Sequence, residues 1–124
     1  MAERTANPLL ECRDDGRIRI MSIRLPEVYR ADTLEQLGHQ IRRAIEATGA
    51  GGSFVLDLSH VKFLTSAAVG LVTNIWSHLA PRGYPFAVAG LDGEVARVIE
   101  TVRLREVMPI FPTVEEALAA LRCK

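Results

Sequence analysis

The chain is predicted to fold as a single α/β domain, with a mixed or mainly parallel sheet of about four or five strands and about four helices. Three observations predict it. Strand-like and helix-like patterns alternate along most of the 124 residues. The pair Asp15-Gly16 separates the first two strand-like runs, a hairpin signal that supplies an antiparallel edge. The run Phe54-Val55-Leu56-Asp57-Leu58 is nearly all apolar, as in a strand covered on both faces by helices. The length suits one hydrophobic core and not two.

The elements follow in order. Residues 1–7 read as a flexible N-terminal tail and 8–122 as the domain. Leu9–Arg13 and Arg17–Arg24 are short strands, and Leu25–Ala31 is a loop carrying Pro26, Val28 and Tyr29. Asp32 opens a helix, with Glu35 three positions on as in a capping box. Leu34, Leu37, Ile41 and Ile45 form its apolar stripe, and Gly49 is its C-terminal cap. After the Phe54–Leu58 strand, Thr65 caps a second helix running to about Ala80. Its buried stripe is Ala68, Leu71, Val72, Ile75, Trp76 and Leu79, with Leu71, Ile75 and Leu79 set against the central strand. Pro81-Arg82-Gly83 ends it. Pro85–Ala89 is a strand, and Asp92 caps a third helix with Val95, Val98, Ile99 and Val102 inward. Met108–Phe111 is a last extended piece. Thr113 and Glu116 form a second capping box for a helix whose inner face is Ala117, Leu118 and Leu121.

Composition narrows the function. Hydrophobic residues make up 48% and charged residues 24%, ordinary for a soluble globular protein. The formal net charge is zero, which argues against a nucleic-acid partner. No run reaches the roughly 18 apolar residues of a membrane span, and Met1–Thr5 leads into no apolar signal core. A cytoplasmic protein is expected. Cys12 and Cys123, near opposite ends of the chain, fit a reducing compartment and no disulfide framework.

No set of residues converges on chemistry. His39, His60 and His78 lie on two helices and a turn, without the clustered partners of a metal site, so neither metal nor cofactor is expected. The glycines of Thr48–Ser53 join a helix to a strand, the reverse of a phosphate loop, and no Lys-Ser/Thr follows them. Ser66 sits on a strand–turn–helix, but Leu64 and Ala68 occupy the places where a hydrolase elbow has glycines. Asp57, inside an apolar run, must find hydrogen-bond partners. Backbone N–H groups of the Ser59–Thr65 turn meet that need. A catalytic base lacks the rest of a triad, so no enzyme is expected.

The most informative stretch is Ser53–Gly70, a buried strand feeding a helix whose first turn is small and approachable. Its pattern, Asp57-Leu58-Ser59-His60-Val61-Lys62-Phe63-Leu64-Thr65-Ser66-Ala67-Ala68-Val69-Gly70, resembles the central motif of STAS domains, the fold of bacterial anti-sigma factor antagonists. The likeness continues through Arg82-Gly83, Phe86–Gly90 and Glu94–Leu121. It implies a STAS-like domain that docks on an anti-sigma factor which is also a serine kinase, in a partner-switching system. It further implies phosphorylation of the antagonist at the second helix start as the release signal. The family usually reads Asp-Ser-Ser-Gly there, with the second serine as acceptor. Phe63 and Gly70 hold the register, so Thr65 stands for the acid, Ser66 for the first serine, Ala67 for the acceptor and Ala68 for the glycine. Ala67 has no hydroxyl; Ser66, then Thr65, are the alternative acceptors. The implied partner surface is Val28, Tyr29, Phe63, Leu64, Thr65, Ser66, Ala67, Ala68 and Val69, with Asp57 and Ser59 structuring the turn. Other STAS proteins are further candidate partners, and a monomer or weak homodimer is expected. The alternative is a small-molecule STAS domain, taking a nucleotide phosphate or lipid head group at the same helix start.

Overall fold

The first strands, β1 (Leu10–Asp15) and β2 (Ile18–Ile23), pair antiparallel and turn at Gly16-Arg17, with Asp15 opposite Ile18. The computed structural model describes residues 9–24, 27–28, 31–48 and 52–122. The expected tail, Tyr29 and the Gly49 cap lie outside these residues.

From β2 the chain passes through the two-residue strand β3 (Glu27–Val28) and helix α1 (Ala31–Thr48) to β4 (Ser53–Asp57). A second two-residue strand, β5 (Phe63–Leu64), leads into α2 (Ser66–Leu79) and a 3-10 turn at Ala80–Arg82. Then come β6 (Phe86–Ala89), α3 (Gly93–Thr101), a 3-10 turn at Leu104–Glu106, β7 (Ile110–Phe111) and α4 (Val114–Arg122). The main sheet has five strands in the order β1-β2-β4-β6-β7, and every pairing after the first hairpin is parallel. β3 and β5 form a separate parallel pair.

Side-chain alternation in the strands assigns the two faces. Met21, Phe54, Leu56, Phe86 and Val88 pack with Leu37 and Ile41 of α1, Val72, Ile75 and Leu79 of α2, and Val95 and Ile99 of α3. Ile18, Ile20, Val55, Ala87 and Ala89 pack with Val114, Ala117, Leu118 and Leu121 of α4. Covered on both faces, β4 and β6 are buried throughout apart from Ser53, which accounts for their near-continuous apolar sequence.

Several boundaries and faces differ from the sequence reading. The segment read wholly as the loop Leu25–Ala31 contains β3, because its extended backbone finds β5 across a distance that local propensity cannot register. The first helix starts at Ala31, so Asp32 lies inside its first turn and is not the N-cap. In α2 the buried residues are Ala68, Val69, Val72, Ile75 and Leu79, whereas Leu71 and Trp76 are half-buried. Leu71 does not face the central strand alone: its Cδ1 lies where it would meet a side chain on Gly38 of α1, 3.2 Å from an ideal Cβ there. In α3, Val98 is half-buried and Val102 is 42% exposed, because the helix stops at Thr101 and Arg103, at φ 56°, turns the chain away. Asp92 occupies the N-cap position without a side-chain capping bond, whereas Thr113 Oγ1 accepts the Glu116 N–H at 3.1 Å. The last strand is confined to Ile110–Phe111, and Met108 is a core side chain.

Candidate functional site

The site is built from the C-terminal end of β4. Asp57 is only 5% exposed, and a carboxylate buried there must be hydrogen-bonded. Its Oδ2 accepts the Ser22 hydroxyl at 2.8 Å from the neighbouring β2, and its Oδ1 accepts the Ser59 N–H at 3.0 Å. Asp57 thereby clamps the first turn after the strand to the sheet. Ser59 serves through its backbone, since its side chain is exposed. Leu58 and Val61 are buried beneath the turn, where the Val61 N–H bonds the Leu58 carbonyl at 2.9 Å. Ser22 escaped the sequence reading; the signal for it was a lone hydroxyl inside the strand Ile18–Ile23, between Met21 and Ile23.

Gly90 completes the clamp from the end of β6. Its φ is +81°, and a Cβ there would stand 2.6 Å from Asp57 Oδ1 and 2.8 Å from the Ser59 nitrogen. Only glycine lets the chain leaving β6 pass this close to the carboxylate while adopting a left-handed backbone.

Beyond the turn, Phe63 and Leu64 pair with Glu27 and Val28. This brings the segment around Val28 beside the start of α2, while the side chain of Val28 and all of Tyr29 lie outside what is described. Thr65 is the N-cap, with extended backbone and its Oγ1 accepting the Ala68 N–H at 3.2 Å. Thr65→Ala is expected to lower stability by about 1 kcal/mol, as for other lost N-caps; denaturant unfolding measures it.

The predicted surface residues separate into two groups. Phe63 is 50% exposed, and Ser66 and Ala67 are exposed beside it. Leu64, Ala68 and Val69 are buried and belong to the core cluster, so they position the helix and present no contact surface. The reason is helical periodicity: Ala68 and Val69 open the same inward stripe that Val72 and Ile75 continue. No acidic residue stands in the first turn of α2, and the first N–H groups of any helix lie outside its internal ladder. Lys62 is exposed just before β5. The described histidines, cysteine and carboxylates form no cluster able to hold a metal ion. The arrangement is an exposed helix start at which Phe63, Ser66 and Ala67 carry no charge and the exposed Lys62 precedes them.

The STAS domain family model matches residues 13–117, most of the chain. The chain belongs to the STAS domain family. Among relatives of this STAS domain is the anti-sigma-F factor antagonist RsfA of Mycobacterium tuberculosis, 30% identical over 80 residues. That match spans 64% of this chain and 62% of RsfA, less than two thirds of the relative's length. An anti-sigma factor antagonist from Mycobacterium paratuberculosis superposes with a TM-score of 0.80 at 24% identity, over 91% of this chain and 92% of that one. The anti-sigma factor antagonist SpoIIAA in its unphosphorylated form gives 0.73 at 22% identity, over 93% and 97%. At these identities the two structures establish the shared fold. Among the described residues, no helix is long and apolar enough to cross a membrane.

Proposed function

We propose that this STAS domain is an anti-sigma factor antagonist that docks in the cytoplasm on an anti-sigma factor of the serine-kinase type, as one arm of a partner switch. The observation that carries this reading is the exposed, uncharged start of α2, where Phe63, Ser66 and Ala67 lie together and the first turn holds no acid. Desolvating Phe63, Ser66 and Ala67 costs little, because none of the three carries a charge, and the exposed Lys62 precedes them in the chain. Support comes from the 30% identical relative named an anti-sigma-F factor antagonist.

In this reading the contact surface is Phe63, Ser66 and Ala67 with the Glu27–Val28 strand alongside, and the chain contributes no catalysis. Ala67 takes the place of the family's phospho-acceptor serine, by the register between Phe63 and Gly70. A methyl group accepts no phosphoryl group, so the usual release route is closed. Of the neighbouring hydroxyls, Ser66 is exposed, while Thr65 Oγ1 is engaged with the Ala68 N–H. Ser66 is therefore the better substitute acceptor.

The test is Ala67→Asp, which places a carboxylate where relatives carry phosphate. An acid in the first turn suits the helix dipole, so the fold is retained. Affinity for the anti-sigma factor kinase from the same organism, measured by calorimetry, is expected to fall at least tenfold, about 1.4 kcal/mol. Circular dichroism controls for folding. Unchanged affinity in a folded variant, or no binding by the unaltered protein, would overturn the reading.

A further inference from the structure

The opposite end of the sheet, where the parallel strands begin, holds a cleft of about 670 Å³. Three arginines line it from three separate elements: Arg17 in the hairpin turn, Arg82 in the 3-10 turn after α2, and Arg122 in the last turn of α4. One acid, Asp15, also lines it and pairs with Arg122. Among the described residues, Arg17 and Arg82 form neither an ion pair nor a side-chain hydrogen bond. The lining therefore carries a net excess of two positive charges, both on unpaired side chains.

We infer that this cleft binds a small organic phosphate. Arginine presents a planar fork of donors that matches a phosphate's oxygens, and two free forks facing one cleft suit a multiply charged group. The volume falls within the range of small-ligand clefts, about 300–1,000 Å³. The wall beside the arginines is apolar and stiff. Tyr84 is half-buried, its ring held edge-on against Phe54 with centroids 6.1 Å apart and planes at 85°, and Leu121 is buried near it. This wall receives the organic part of the ligand. Arginines at helix C-termini also complement the helix dipole, which accounts for Arg82 and Arg122. It leaves Arg17 unexplained, since Arg17 sits in a hairpin turn with no helix end of its own.

The cleft lies at the far end of α2 from Ala67. At about 1.5 Å rise per residue, the 14 residues of that helix set the two places about 20 Å apart. That exceeds the Debye length of about 10 Å at moderate salt, so the cleft is testable separately from the proposed docking surface.

The experiment is calorimetry of the full chain with inorganic pyrophosphate and with ADP at an ionic strength of about 0.1 M, together with NMR observation of the Tyr84 ring. Both probes are expected to bind, ADP more tightly because it also uses the apolar wall, and the Tyr84 ring signals shift during each titration. The double variant Arg17→Gln with Arg82→Gln is expected to weaken both at least tenfold while keeping its melting temperature, because both side chains are exposed. Ala67→Asp leaves the binding unchanged. Absence of pyrophosphate binding, or binding indifferent to the two arginines, overturns the site. ADP binding no tighter than pyrophosphate overturns the organic part of the assignment.

Discussion

Gly90→Ala is expected to destabilise the protein by about 2–5 kcal/mol. Two costs act at once. A non-glycine residue in the left-handed region loses about 1–2 kcal/mol, and forcing an extra carbon into a packed site costs about 1–3 kcal/mol. Here the new Cβ meets Asp57 Oδ1 at 2.6 Å and the Ser59 nitrogen at 2.8 Å. Neither neighbour can yield cheaply, because the carboxylate is fixed by Ser22 and Ser59 and the amide is backbone. Gly83 supplies the control: its φ is +79°, but nothing lies within 4 Å of a Cβ placed there. Gly83→Ala should cost only the backbone part, about 1–2 kcal/mol. Denaturant unfolding of the two variants separates sterics from backbone strain, and equal losses would show that the turn relaxes around the added methyl. Because the clamp orients the turn leading to α2, amide exchange at Ser59 should accelerate in Gly90→Ala and stay unchanged in Gly83→Ala.

Ile75→Ala is expected to cost about 2–5 kcal/mol, the range for a cavity in a packed core. Ile75 is buried in the cluster that joins α2 to β4 and β6. Leu71→Ala, one turn earlier, should cost about 1–1.5 kcal/mol, since a half-buried side chain gives up less apolar area. Unfolding midpoints distinguish the two, and a Leu71→Ala loss as large as that of Ile75→Ala would place Leu71 in the core after all.

The contrast between these leucine and isoleucine positions illustrates what was legible in the sequence. Periodicity placed both on the inner side of α2, which was right to within one position. How deeply each is buried depends on what stands opposite. Gly38 of α1 meets Leu71 at the helix–helix seam, and the sheet meets Ile75. Val102 was assigned inward on the same reasoning. The end of α3 at Thr101 and the left-handed Arg103 removed it from the stripe. At the candidate site, the motif located the second helix start and Thr65 as its cap, while Leu64, Ala68 and Val69 are buried and, among the described residues of the predicted surface, Phe63, Ser66 and Ala67 are the exposed ones.

The sequence by itself determined the helices and the strands of the main sheet, the hairpin edge, the α/β class and the STAS-like turn before α2. These rest on local signals: periods of two and 3.6 residues, capping residues and glycine turns. Tertiary structure alone decided the Ser22–Asp57 bond across 35 residues, the β3–β5 pairing, the close passage of Gly90 and the convergence of Arg17, Arg82 and Arg122. Each joins segments far apart in the chain. Such contacts form only once the sheet order is set, and no short-range preference of the residues involved encodes them.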